Sequence, residues 1–173
     1  LGLGDAILTG EALIGDNPFA VILADDLFDF NNENVLSQMI KIYNKHKCSI
    51  IAIEEIPIEY SNKYGIIKGK PIGNSDDTFE VIDMVEKPEA KDAPSNMAIV
   101  GRYILTSDIF EILKVIKPGI NDEIQITDAL LSQAKKGKVI AYKFKGKRFD
   151  CGSIEGYINA SIHFAKKIGI DIK

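Results

Sequence analysis

The run Phe19-Ala-Val-Ile-Leu-Ala24 ends in two carboxylates, Asp25 and Asp26. Six apolar residues in a row predict a strand buried on both faces, as in a parallel sheet. The acids then fall at the carboxyl edge of the sheet, where open α/β folds bind ligands. Carboxylate oxygens are hard ligands that suit Mg²⁺, and Mg²⁺ usually arrives with phosphates. The alternative is that Asp25 or Asp26 starts a turn or caps a helix. Asp150, in Arg148-Phe-Asp-Cys-Gly-Ser153, is the second acid of interest. A carboxylate at such a strand-to-helix junction is often a cap, but Ser153 is the better N-cap and leaves Asp150 free. Two carboxylates from distant strand ends, Asp25 and Asp150, could share one Mg²⁺.

Glu86-Lys87-Pro88 sets an acid beside a base where a strand ends, and Pro88 stops the ladder. Lysine is a compact charge suited to phosphate, and glutamate accepts hydrogen bonds from sugar hydroxyls. The alternative is a pair of solvated surface charges. Gly65, after Tyr64, opens a strand where a ligand could approach the backbone closely, or is an ordinary turn glycine. Gly2-Leu3-Gly4 precedes a helix, so its amides could face an anion or a base edge. Lys143, Lys145, Lys147 and Arg148 alternate with Phe144 as a solvated strand face, with phosphate attraction as the lesser option. His163, beside an apolar helix stripe, reads as packing, and His46 as a solvated helix-end cation. No Ser–His–Asp or Cys–His ordering stands out.

These residues need a scaffold, and 173 residues suffice for one domain with a real core. The chain is 46% hydrophobic and 27% charged, a globular composition. A net charge of −4 argues against a general nucleic-acid binder. No apolar run reaches the length of a membrane span, and no signal-peptide pattern is visible. Cys48 and Cys151 lack CxxC or zinc spacing and fit buried thiols in a reducing cytoplasm. Leu1 stands inside Leu-Gly-Leu-Gly with no initiating Met, so an N-terminal part is expected to be missing.

The pattern predicts a helix over Asp5–Leu13, a break at Gly15–Pro18 and the strand Phe19–Ala24. A helix capped by Asn34 and a strand over Ser49–Ile53 follow, in the order of a parallel βαβ unit. Gly65–Lys68 and Phe79–Val85 read as a hairpin around a polar turn. Met97–Leu105 is a strand, and Thr106-Ser107-Asp108 can cap a helix with an Ile109, Ile112, Leu113, Ile116 stripe. Thr127 is expected to cap a further helix, with Lys135 and Lys136 in its last turn. Val139–Phe144 is a strand. Ser153 caps a last helix carrying Ile154, Tyr157, Ile158, Ile162, Ala165 and Ile168 at a 3.6 period. The expected class is α/β, a single domain over 1–173 with a mixed, mainly parallel sheet flanked by helices.

The ordered blocks Leu1–Ala6, Phe19–Asp26, Tyr64-Gly65, Val85–Pro88, Ala93–Tyr103, Asp122–Ala129 and Phe149–Gly152 span essentially the whole chain. Together they resemble the bacterial UTP–glucose-1-phosphate uridylyltransferases, whose fold is Rossmann-like. The resemblance implies that Asp25 and Asp150 are Mg²⁺ ligands and that Lys87 holds the sugar phosphate. It makes Glu86 and the Gly65 backbone partners of glucose hydroxyls, and puts Gly2 and Gly4 near uracil. Asn96 and Arg102 match the family block in a supporting role, and Asp122–Ala129 is architectural or part of subunit contacts. Asp5 stands where the family commonly has His.

The implied reaction gives UDP-glucose and pyrophosphate from UTP and glucose 1-phosphate, with Asp25, Lys87 and Asp150 carrying it. The small-molecule substrates are the partners, with no nucleic acid or membrane involved, and a homo-oligomer is compatible with the pattern. The family's N-terminal strand and glycine-rich triphosphate loop would precede Leu1. The 173 residues alone are therefore expected to be weakly active or inactive, with a sheet edge exposed. Two other functions are kept: a glucose-1-phosphate thymidylyltransferase, and a non-catalytic fragment or interaction module retaining the sugar-phosphate half-site.

Overall fold

The computed structural model describes residues 2–119 and 122–171, so Leu1 of the first block lies outside the described residues. Two short helices, α1 (Leu3–Leu8) and α2 (Glu11–Ile14), replace the single helix expected over Asp5–Leu13. The break is at Gly10, a poor helix former, whose N–H donates three residues back to Ile7 O at 3.0 Å. Then come β1 (Phe19–Ile22), β2 (Asp26–Asp29) and α3 (Val35–His46). The Asn34 side chain caps α3 by accepting from the Ser37 N–H at 2.8 Å. β3 (Ser49–Glu55) and a 3₁₀ helix (Ile58–Lys63) lead into the hairpin of β4 (Gly65–Pro71) and β5 (Thr78–Glu86). β6 (Met97–Leu105), α4 (Asp108–Leu113), α5 (Ile126–Ala134) and β7 (Val139–Lys143) follow. β8 (Lys147–Asp150) and α6 (Ile154–Lys167) close the order, with Ser153 accepting from the Gly156 N–H.

Six strands form one sheet in the order β1-β6-β3-β7-β5-β4, and β4 also pairs with β6. The class is α/β with a mixed sheet, as expected. Its neighbours are mainly antiparallel, however: among the described residues the one parallel pairing is β3 with β7. The βαβ order was misleading because β6, arriving later in the chain, inserts antiparallel between β1 and β3. The doubly buried strand expected at Phe19–Ala24 is β3 instead, where Ile50, Ile51, Ala52 and Ile53 are all 0% exposed. β1 is the edge of the sheet, and its residues alternate between half-buried and exposed.

Alternation along β3 builds a core on each face. Ile51 and Ile53 pack with Tyr103, Leu105, Phe110 and Leu130 on the side of α1, α4 and α5. Ile50 and Ala52 pack with Val35, Met39 and Ile104 on the side of α3. Each such isoleucine contributes about 1.5–3 kcal/mol by burial. A separate two-stranded ribbon pairs β2 with β8 and carries α6. The α6 periodicity is real, but its stripe faces outward: Ile154 and Ile168 are 82% and 74% exposed, and Ala160 marks the buried side. His163 packs as expected, against Phe149 and Phe164, with its Nε2 at 2.6 Å from Asp29 Oδ2.

Candidate active site

The bend between β1 and β2 delivers Asp25. Its shape is held by Arg102, whose guanidinium donates to the carbonyls of Leu23 (3.1 Å), Gly101 (2.7 Å) and Asp26 (2.8 Å) and lies over the Phe28 ring. Arg102 is thus engaged with backbone and stands behind the bend. Asn96 is exposed, and its carbonyl accepts from the Ile56 N–H. Neither residue lines the cleft described below.

Register in the ribbon places Asp26 opposite Asp150. The Cys151 N–H donates to Asp25 O at 2.7 Å, which ties the two acid-bearing bends together. A Cβ built on Gly152 would lie 3.1 Å from Asp150 Oδ1 and 3.4 Å from Asp25 Oδ2. The two carboxylates therefore converge on one point over a residue with no side chain. Two convergent carboxylates fit Mg²⁺, which takes one or two acids and completes its shell with water and substrate phosphates. Among the described residues there is no cluster of three or more acid, His or Cys ligands of the kind that would form an all-protein cage.

Asp26 does a different job from its neighbour. It is 5% exposed. It accepts from the Gly101 N–H at 2.6 Å and from Arg148 Nε at 2.6 Å. Arg148 also donates to Glu54 at 2.6 Å and lies 3.4 Å from Asp150 Oδ2. Burial works against the Arg148 charge, but Asp26 and Glu54 outweigh it and hold its pKa above the ordinary guanidinium range. Grouping Arg148 with the solvated basic residues was incorrect, since its side chain is 6% exposed. Strand alternation was the available signal: Lys147 points out, so Arg148 points in.

Asp150 Oδ2 also accepts from the Tyr64 hydroxyl at 2.6 Å, and Oδ1 accepts from the Gly152 N–H at 3.1 Å. Burial pushes the Asp150 carboxyl up, but Tyr64, Arg148 and the Gly152 amide outweigh it and keep it below the usual carboxylate range. α6 presses on this junction, and a Cβ on Gly156 would lie 1.7 Å from Asp150 O. Backbone cannot swing aside as a side chain can. Gly156→Ala is expected to lower stability by about 1–3 kcal/mol through overpacking, read as a fall in Tm by thermal denaturation.

The other end of the cleft comes from the hairpin. Gly65 pairs with Glu86 across β4 and β5. The Lys87 N–H donates to Tyr64 O at 3.0 Å, and Lys87 takes a left-handed φ of 46°. That conformation costs a non-glycine residue on the order of 1 kcal/mol, and it lies beside the candidate chemistry. Lys87 Nζ is 3.8 Å from Glu86 Oε1. Thr127 was expected to cap α5, but Gln125 holds that position, and the Thr127 hydroxyl donates to Glu86 Oε2 at 2.5 Å. A Cβ on Gly65 would meet both Glu86 Oε2 (3.1 Å) and Thr127 Oγ1 (3.2 Å).

Asp25, Asp26, Gly65, Glu86, Lys87, Arg148 and Asp150 line one cleft of about 380 Å³, with Tyr64, Tyr103, Glu123 and Thr127. Gly4 is buried, and its N–H is engaged with Ile124 O at 2.9 Å, so that amide serves packing of α1. Gly2, at φ 111°, lies against Glu123. Tyr64, Asp26, Thr127 and Arg148 are cleft residues that the sequence did not assign to the site. A larger groove of about 770 Å³ lies between α3 and the β7–β8 turn, and several groups on its walls are paired. Gln38 there accepts from Tyr142 and Lys145 N–H and donates to two carbonyls, while Glu33 pairs with Lys41. The smaller cleft is the one that holds the Asp25 and Asp150 pair meeting over Gly152, with Lys87.

A nucleotidyl transferase family model matches residues 1–167. A UTP–glucose-1-phosphate uridylyltransferase from Pseudomonas aeruginosa is 62% identical over 161 residues, 92% of this chain and 57% of the relative. A crystal structure of UDP-glucose pyrophosphorylase complexed with UDP-glucose superposes at TM-score 0.92 with 61% identity, covering 96% of this chain and 62% of that one. UTP-bound UGPase from Acinetobacter baumannii superposes at TM-score 0.83 with 36% identity, covering 96% and 57%. The chain thus spans little more than half the length of the proteins it matches.

Proposed function

The chain belongs to the nucleotidyl transferase family, and on that premise we propose that it supplies the metal and sugar-phosphate parts of a UTP–glucose-1-phosphate uridylyltransferase site. The observation that carries this reading is one cleft with convergent Asp25 and Asp150 at one end and Gly65, Glu86 and Lys87 at the other. The reaction joins glucose 1-phosphate to the α-phosphorus of UTP and releases pyrophosphate.

Each phosphate carries about −1.5 to −2 charge, by analogy with phosphorylated side chains. At about 4 Å and an effective dielectric near 20, repulsion is roughly 4 kcal/mol per unit charge pair. Asp25 and Asp150 would hold Mg²⁺, which would supply positive charge against that repulsion. Lys87 neutralises the attacking phosphate. Glu86 accepts from a sugar hydroxyl, and Gly65 lets the sugar approach the backbone. Gly2 borders the base-binding end. No protein nucleophile is required, because positioning and charge stabilisation carry phosphoryl-type transfer. The cleft walls set Asp25, Asp26, Glu86, Glu123 and Asp150 against Lys63, Lys87 and the ion-paired Arg148. Such walls hold a triphosphate poorly, so we expect the 173 residues alone to turn over slowly or not at all. Both cysteines are free thiols, which suits a reducing cytoplasm. No described helix is long and apolar enough to cross a membrane.

The test is a chimaera in which this chain replaces the matching 161 residues of the Pseudomonas aeruginosa relative. UDP-glucose and pyrophosphate should form from UTP and glucose 1-phosphate, dependent on Mg²⁺. Faster turnover of dTTP would move the reading to thymidylyl transfer. Binding of glucose 1-phosphate without turnover of any nucleotide would move it to a non-catalytic half-site. Lys87→Met should weaken glucose 1-phosphate by about 10–100-fold, the equivalent of a lost charged hydrogen bond of about 1.5–3 kcal/mol, read by isothermal titration.

A further inference from the structure

Tyr64 reaches both ends of the cleft at once. Its hydroxyl donates to Asp150 Oδ2 at 2.6 Å, and its carbonyl accepts from the Lys87 N–H at 3.0 Å. The ring lies 5.0 Å from the Arg148 guanidinium, which itself pairs with Asp26, Glu54 and Asp150. The side chain is therefore wedged between two fixed partners, and its backbone is fixed by the start of β4.

The two oxygens of Asp150 are used differently. Oδ2 is occupied by Tyr64 and Arg148. Oδ1 is the atom that shares the point over Gly152 with Asp25 Oδ2. With Oδ2 held by Tyr64 and Arg148 and Oδ1 accepting from the Gly152 N–H at 3.1 Å, rotation about the last side-chain bond is opposed and Oδ1 keeps one direction. That is how an outer partner orients a metal ligand.

We propose that Tyr64 is a positioning residue: it locks Asp150 so that Oδ1 faces the metal point, and through its carbonyl it fixes the spacing between that point and Lys87. This rests on the reading of Asp25 and Asp150 as a metal pair. The hydroxyl does the first task and the backbone does the second, so a side-chain substitution separates them. Tyr64→Phe keeps the ring over Arg148 and the carbonyl to Lys87, and removes the hydroxyl that bonds Asp150 and also interacts with Arg148.

Mn²⁺ serves as the probe, titrated into the 173-residue chain with the free ion followed by electron paramagnetic resonance. Tyr64→Phe should weaken Mn²⁺ by about 10-fold or more, the range for loss of an outer-shell partner. In the chimaera, lost turnover should return at raised Mg²⁺, while KM for glucose 1-phosphate stays unmoved. Asp150→Asn is the control. If it weakens Mn²⁺ while Tyr64→Phe matches wild type, the positioning role is overturned and the metal pair stands. If neither variant changes Mn²⁺ binding, the metal pair itself is overturned, and the role of Tyr64 with it. A rise in KM for glucose 1-phosphate at saturating Mg²⁺ in Tyr64→Phe would also overturn the proposal, because the hydroxyl would then act at the sugar end.

Discussion

Asp25→Asn in the chimaera is expected to lower kcat by about 10²–10³-fold, the scale for removing one preorganised electrostatic contact to a transition state, with no loss of Tm. The separation of the two readouts follows from the surroundings of the carboxylate. Asp25 is exposed, and among the described residues its side chain makes no hydrogen bond or ion pair. Its fold contribution comes from its carbonyl, which accepts from Cys151 and is retained in asparagine. The neutral amide keeps the volume and loses the charge that a divalent ion needs. Steady-state kinetics with Mg²⁺ titration, together with a thermal melt, measures both quantities. Wild-type turnover in this variant would remove Asp25 from the site.

Arg148→Met should show the opposite emphasis, with a fall in stability of about 3–5 kcal/mol, the usual consequence of stranding a buried charge. At about 2–4 °C per kcal/mol for a chain of this size, Tm drops by roughly 6–20 °C. Methionine fills much of the space but leaves the Asp26 carboxylate, 6% exposed, with only the Gly101 amide. Glu54 loses its partner too, although at 28% exposure it can recruit water. Arg148→Met with Asp26→Asn should recover part of the loss, because the stranded charge is then gone. A double-mutant cycle by urea denaturation measures that coupling. A single variant as stable as wild type would show that the network contributes little beyond its own desolvation cost.

How far these features were legible in the sequence depends on their range. The strand Met97–Leu105 and the Asn34 and Ser153 caps rest on neighbours within a few residues and are observed where expected, and the hairpin expected over Gly65–Lys68 and Phe79–Val85 extends to Pro71 and Thr78–Glu86. Strand order was not legible, because nothing within Phe19–Ile53 reports that β6 will insert between β1 and β3. Asp25 and Asp150 were named from strand-end position and family resemblance, and the β2–β8 register brings them together. Thr127 was misjudged because a hydroxyl near a helix start normally caps it. Here the hydroxyl faces Glu86, a partner 41 residues away in the chain. Arg148 was hidden by its lysine neighbours, which share its charge but not its side of the strand.

The β2–β8 ribbon also decides when the site exists. Asp25 and Asp150 lie 125 residues apart, so their meeting is a long-range contact that must wait for the intervening chain. Closing a loop that long is entropically slow to repay. The central β3–β6 pairing and the hairpin can form earlier from nearer segments. On a ribosome the acid at residue 25 therefore waits, solvated and without its counterpart, until residues 147–150 have emerged and found β2. A chain made only as far as β6 can hold the central pairing while lacking the strand that brings Asp150 to Asp25.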